Sequence, residues 1–223
     1  MAVAFIGTAI GGGGAASATI ATHASTAAGH KLVFACNSGG GTVTSITGGT
    51  GGTWVQVAAA TPAGALTHLS VWVRDEVAAA GDLGVNFTIN YNVGTQFRNV
   101  MASFSGTGVA ALLAGTTTSA SAGAAITSPV YDMAAGGLAF AIGGGDSFAG
   151  VPTCTVTGAG WTERTDNAVS ALISCATATG TTTGAGVAGA TFTWTASHAQ
   201  RAAATVVLYE AVPSTVSLLT AFP

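Results

Sequence analysis

One programme is written twice in this chain. Ala27-Ala28-Gly29-His30-Lys31-Leu32-Val33-Phe34-Ala35 leads to Thr47-Gly48-Gly49-Thr50-Gly51-Gly52-Thr53-Trp54-Val55, and Ala134-Ala135-Gly136-Gly137-Leu138-Ala139-Phe140-Ala141 leads to Thr157-Gly158-Ala159-Gly160-Trp161-Thr162. Leu32 matches Leu138 at an offset of 106 residues and Trp54 matches Trp161 at 107. A tandem duplication of this kind restricts the fold to two copies of one unit, either with separate cores or with one core shared about a pseudo-two-fold axis. The shared core is favoured, because aromatic residues are few per copy and a unit of roughly 95 residues buries proportionally little surface.

The unit reads as β. In Lys31 to Cys36, Leu32, Phe34 and Cys36 alternate with Lys31, Val33 and Ala35, and both sets are largely apolar, as in a central strand. Leu138, Phe140 and Ile142 repeat the pattern. Val85, Phe87, Ile89 and Tyr91 alternate with Asn86, Thr88, Asn90 and Asn92, as in a half-exposed strand, and Phe192 and Trp194 alternate with threonines in the second copy. Short strands separated by glycine-rich turns point to an all-β, internally duplicated sandwich of the jelly-roll or immunoglobulin-like kind with extended N- and C-terminal arms. The expected boundaries are an N-terminal arm over 1–16, a first repeat over 17–106, a linker over 107–123, a second repeat over 124–212 and a C-terminal arm over 213–223. Gly11 to Gly14 is read as the hinge of the first arm, since glycine has no steric reason to choose one conformation.

Charge narrows the function classes. Only 6% of residues are charged, against about a quarter in ordinary soluble domains, and five Lys+Arg against eight Asp+Glu leave a net charge of −3. No basic stripe exists to neutralise phosphates, so nucleic acid is disfavoured as a partner. So little charge gives little self-repulsion, which suits packing against neighbours. No apolar run reaches the ~18 residues of a membrane span, and the first residues lack the basic segment of a secretory signal. Cys36, Cys154 and Cys175 have no metal-site spacing and read as buried free thiols.

Motifs for chemistry are weak. Gly184-Ala185-Gly186-Val187-Ala188-Gly189 matches a dinucleotide fingerprint in letters but precedes a strand, where a pyrophosphate needs a helix N-terminus. The single lysine, Lys31, lacks the glycine context of a P-loop, and no Gly-x-Ser-x-Gly elbow is present. His23, His30, His68 and His198 lack metal-binding spacing and read as surface or loop residues, and Asp146 after three glycines lacks neighbouring oxygen ligands for calcium. The sequence therefore points to no catalytic residue, no cofactor and no metal. Trp54 and Trp161 read as equivalent packing anchors. Trp72, Tyr91 and Trp194, beside Asn and Thr, form a candidate platform for a sugar ring. Phe5, Ile6, Leu218, Leu219 and Phe222 in the two arms are candidate contacts to a neighbouring subunit or particle, by strand addition or groove filling.

The opening Val3-Ala4-Phe5-Ile6-Gly7, the Ala-Gly-x-x-Leu-x-Phe-Ala strand at Gly29 and its one-residue-shorter counterpart Ala-Gly-x-Leu-x-Phe-Ala at Gly136, Leu69-Ser70-Val71-Trp72-Val73-Arg74, Ala102-Ser103-Phe104-Ser105-Gly106 and Gly160-Trp161-Thr162 together resemble a family of phage and prophage β-sandwich proteins. The first copy departs from the pattern at Gly52-Thr53-Trp54, where a threonine separates glycine from tryptophan. The resemblance implies a non-enzymatic accessory protein of a virion: a capsid decoration or cement protein, a head-fibre base or a tail-associated module. Its implied partners are other virion proteins and further copies of itself, and the alternative reading is a carbohydrate-binding module for host adhesion. The implied location is the virion.

Overall fold

The computed structural model describes residues 2–106, 109–146, 151–167 and 173–210. The described chain is almost entirely antiparallel β-structure. The first copy supplies β1 (Ala4–Ala21), β2 (Lys31–Gly39), β3 (Val43–Thr47), β4 (Trp54–Ala60), β5 (His68–Val77) and β6 (Asn86–Ser105). The second supplies β7 (Val109–Ser119), β8 (Gly123–Thr127), β9 (Tyr131–Met133), β10 (Leu138–Asp146), β11 (Cys154–Thr157), β12 (Trp161–Asn167), β13 (Ile173–Gly180), β14 (Gly184–Val187), β15 (Thr191–His198) and β16 (Arg201–Glu210).

Both copies build the same five-stranded sheet: β1-β6-β2-β5-β4 in the first and β7-β16-β10-β13-β12 in the second. Each also builds an outer three-stranded layer. In the second copy this is the separate sheet β8-β15-β11, and in the first it is made by β3 pairing with β6 and by the far halves of β1 and β6. The long strands turn from one layer to the next at irregularities. Ala15 pairs with Thr95 but Ser17 pairs with Asn90, so four residues of β6, 91 to 94, are left out of its ladder with β1 and bend it. The second copy makes the same corner by breaking the strands, between β7 and β8 and between β15 and β16.

The equivalence of β1 with β7–β8 corrects the expected boundaries. Residues 4 to 16 are an edge strand of the first copy, and residues 109–119 of the expected linker are its counterpart in the second. Gly11 to Gly14 are not a hinge. Each lies in the ladder opposite a residue of β6, and Gly12 and Gly14 make room for the side chains of Arg98 and Gln96, which lie across them. Phe5 and Ile6 are accordingly half-buried in this strand rather than held out on an arm. Leu218, Leu219 and Phe222 lie outside the described residues.

The two five-stranded sheets stack face to face and share one core. Val33, Ala35, Val71, Val100 and Phe104 of the first copy pack against Leu138, Phe140, Ile142, Val206 and Leu208 of the second. The stacking is pseudo-two-fold: β1 lies by β12 at one side, and their counterparts β7 and β4 lie together at the other. Each copy also closes an outer core. Leu32, Phe34, Trp54, Trp72, Phe87 and Tyr91 form one, and Ile126, Ala141, Ala176, Phe192 and Trp194 the other.

The repeat is offset by one residue from its most visible match. Gly29 and Gly136 (136 − 29 = 107) both take positive φ, and the turns around them close equivalently, His30 N–H to Ala27 and Gly137 N–H to Ala134. Leu32 is therefore equivalent to Ala139, and Leu138 to Lys31. Since side chains alternate, the Leu-x-Phe pattern faces the outer core in β2 but the shared core in β10.

Trp54 is buried and edge-on to Phe87, centroids 5.6 Å apart. Trp161, its counterpart, is half-buried, donates Nε1–H to the Ala188 carbonyl at 3.0 Å and stands edge-on to Tyr131. The glycine turn before Trp54 is clamped by Arg74 and Asp82. Arg74 pairs with the Asp82 carboxylate and donates to the Thr50 and Gly51 carbonyls, while Asp82 accepts the N–H groups of Thr50 and Ala79.

Candidate functional site

The proposed sugar platform does not exist in the folded protein. Trp72 is 9% exposed, Tyr91 6% and Trp194 2%. Trp72 donates Nε1–H to Ser70 Oγ at 3.2 Å. Tyr91 stacks on Phe97 at 4.9 Å and donates its hydroxyl to Asn99 at 2.8 Å. Trp194 is sandwiched by Phe192 and His198, at 6.2 and 4.8 Å. All three face outer cores because the partner layer, which alternation within a strand cannot reveal, covers the side they point to. Phe5 is also engaged: it meets Phe104 edge-on at 5.8 Å and carries the Arg164 guanidinium 4.5 Å over its ring.

Polar chemistry concentrates instead at one end of the shared core, where the end of β2, the end of β10, the start of β13 and the β15–β16 corner meet. Antiparallel pairing puts Gly145 opposite both Ser174 and Arg201, which brings together Asn37, Asp146, Ser174, His198 and Gln200. Ser174 Oγ lies 2.7 Å from His198 Nε2, and His198 Nδ1 lies 3.0 Å from the Ala196 carbonyl. A carbonyl only accepts, so Nδ1 carries the hydrogen and Nε2 accepts from the serine hydroxyl. Burial lowers the His198 pKa, against the raising effects of the Ala196 carbonyl and Asp146, so the ring is neutral at neutral pH.

This is the tautomer a serine nucleophile needs from its base, but the arrangement is not a triad. The Asp146 carboxylate accepts the Gln200 N–H at 2.6 Å instead of orienting His198. Ser174 and His198 are fully buried, and the His198 ring occupies the space where Gly145 would carry a Cβ. A nucleophile must meet a substrate carbonyl, and this one is enclosed by the protein's own strands.

The same cluster joins the copies. Asn37 Nδ2 donates to the carbonyls of Gly145 and Ser174, at 3.3 and 2.8 Å, from the first copy into the second. Gln200 reaches the other way, donating Nε2–H to the Ala63 carbonyl and accepting the Leu66 N–H, each at 2.9 Å. Sequence reasoning missed this latch. His198 reads as a surface or loop residue in the sequence, and no spacing rule links positions 37, 145, 174 and 200. The available signal was Gly143-Gly144-Gly145 inside an otherwise apolar strand, which marks a close approach by other groups.

The remaining ionisable groups follow suit. Burial pushes the Cys36 thiol up to about 12 and raises Cys154 and Cys175 as well, and all three cysteines are free and buried. Among the described residues no group of three His, Cys, Asp or Glu side chains could hold a metal ion. Gly184 to Val187 form β14, paired with β9, and β15 follows where a dinucleotide site would need a helix. Among the described residues no helix is long and apolar enough to cross a membrane. No family model, curated protein or solved structure matches the chain.

Proposed function

We propose that the protein is a non-enzymatic structural component of a phage particle, a capsid decoration or cement protein or another virion-attached β-sandwich. The observation that carries the reading is where the polar chemistry sits. Arg74, Asp82, Asp146, Ser174, His198 and Arg201 are all buried and spend their hydrogen bonds on turns, strand ends and the seam between copies. What remains for the surface is mostly Thr, Ser, Ala and Gly with a few charges, Asp75, Asp132, Glu163 and Arg164 among them, on a doubled sandwich suited to packing against neighbours while stranding little charge. The particle itself is supplied by the family resemblance of the repeated strands. Partners are other virion proteins, and Leu218, Leu219 and Phe222 are the apolar residues proposed to meet them.

Quantitative mass spectrometry of purified particles tests this. The expected result is stoichiometric presence, in hundreds of copies for a shell protein or in tens or fewer for a tail protein, with reduced occupancy for a variant lacking residues 214–223. Absence from washed particles refutes the reading. Unchanged occupancy of the shortened variant refutes the role of those three residues.

A further inference from the structure

The two sides of the sandwich differ in a way the duplication does not require. At one side β1 lies by β12, whose sequence Trp161-Thr162-Glu163-Arg164-Thr165-Asp166-Asn167 carries three charged residues; ladder irregularities do not distinguish the sides, since β12, β4 and β7 each have one. At the other side the counterparts β4 and β7 contain no Asp, Glu, Lys, Arg or His. Both end their sheets, so among the described residues each keeps one edge outside any ladder. Charges on an edge are one means by which β-proteins keep edges from pairing. The first side has the charges, and the second lacks them.

We propose that two copies of this chain associate through the β4–β7 side, with β7 antiparallel to its mate about a two-fold axis and the β4 edges packed alongside. Three observations select this occupant. First, β7 pairs with β16 without a break from Leu113 to Ser119, so its backbone offers a straight run centred on Thr116. Second, charge favours self-pairing here and opposes it on the other side. A two-fold places like beside like, which costs nothing for neutral strands but would set Glu163 and Asp166 of one copy against those of the other. Third, the area suffices. Eleven residues at ~3.4 Å and two sheets ~10 Å apart with their flanking side chains give a wall of about 37 by 20 Å, roughly 700 Å² per copy, close to the ~800 Å² per partner of a stable interface. Val55 on β4, half exposed, and the exposed Thr116 and Thr118 on β7 lie within it.

The proposal deepens the structural reading by naming its self-association surface, and it is tested on purified protein, so its failure is separate from absence from particles. Sedimentation velocity of the full chain at about 100 μM should show a dimer, a concentration roughly a hundredfold above a micromolar dissociation constant. Thr116→Lys puts two ammonium groups beside the axis and should weaken the dimer at least tenfold, and Val55→Lys should weaken it in the same direction. Ile10→Lys on β1 and removal of residues 211–223 should leave it intact. Thermal unfolding of each variant confirms that it is folded. A monomeric wild type, a dimer that survives both Thr116→Lys and Val55→Lys, or one lost on Ile10→Lys or on the C-terminal deletion would each overturn the proposal.

Discussion

Replacing Phe140 with Ala tests whether the two copies are one folding unit. Phe140 is 1% exposed at the centre of the shared core, and its ring meets Phe104 of the other copy edge-on, centroids 5.6 Å apart at 79°. Truncating a buried phenylalanine costs about 3–5 kcal/mol, the transfer of the ring plus the cavity left behind. Within that sum the edge-to-face pair with Phe104 accounts for about 0.5–1.5 kcal/mol. For a chain of this size each kcal/mol moves the midpoint by about 2–4 °C, so a loss of about 4 kcal/mol lowers Tm by roughly 8–16 °C. Differential scanning calorimetry should show a single transition before and after the change, with calorimetric and van't Hoff enthalpies in agreement. Phe87→Ala and Phe192→Ala, in the two outer cores, should lower that same transition. A double-mutant cycle of Phe104→Ala with Phe140→Ala should return a coupling of about 0.5–1.5 kcal/mol. Two separable transitions, with Phe140→Ala moving one alone, would refute the shared core as the cooperative unit.

Two further outcomes follow from the buried groups. The native protein should be nearly inert to a thiol reagent at neutral pH and yield three reactive thiols in guanidinium, because burial both hides the cysteines and raises their pKa values, Cys36 to about 12; rapid modification of the native chain would contradict their burial. Burial alone would raise the Asp82 pKa, but the bond from Arg74 and the N–H groups of Thr50 and Ala79 outweigh it and hold the carboxyl below its ordinary value. Its contribution to stability is therefore complete above the unfolded-state pKa of about 3.9 and is lost as pH falls through the lower folded value. Asp82→Asn should cost about 3–5 kcal/mol at pH 7 by stranding the buried Arg74, and the gap to wild type in urea midpoints should narrow on acidification below pH 4. A gap independent of pH would refute the assignment.

The repeat, the β class and the central position of β2 and β10 were legible because each is a local pattern. Alternation puts Leu32 and Phe34 on one face whatever that face meets. What covers each face is a long-range fact, and there the reading failed twice. Trp72, Tyr91 and Trp194 look half-exposed because their alternate neighbours are Thr, Ser and Asn, yet an outer layer lies over them. The stretches 4–16 and 109–119, which belong to the first strands of the two copies, were missed because Ala, Gly, Ser and Thr carry almost no hydrophobic alternation. β1 is held by its ladder with β6, and four successive glycines, which favour flexibility in isolation, are there the residues that let neighbouring side chains lie across the strand. The match of Leu32 to Leu138 misled for a related reason: a short apolar motif resembles itself after a slip of one residue, whereas the positive φ at Gly29 and Gly136 fixes the register.

The slip also explains how a duplicated surface packs against itself. Identical faces related by a two-fold place equal side chains opposite each other near the axis, where two large ones collide and two small ones leave a void. Here Val33 and Ala35 of β2 are opposed by the larger Phe140 and Ile142 of β10, which occupy the equivalent positions (140 − 33 = 107). The same rule acts at the polar end. Asn37 and Gly144 are equivalent (144 − 37 = 107), and the Asn37 side chain lies directly over Gly144, where a Cβ would come 2.5 Å from its Cγ. One copy supplies the side chain and the other the space. Gly144→Asn should then be severely destabilising, since two carboxamides would compete for one site, while Asn37→Gly should cost less, about 1–3 kcal/mol, from the loss of the Asn37 donor to the carbonyls of Gly145 and Ser174. Exchanging them, Asn37→Gly with Gly144→Asn, moves the side chain across the axis into space just vacated. Chemical denaturation should find the double variant more stable than Gly144→Asn alone, with a favourable coupling of about 1–3 kcal/mol. Strictly additive losses would mean that the two positions do not share one space, and that the asymmetry of the duplication is not what lets its halves close.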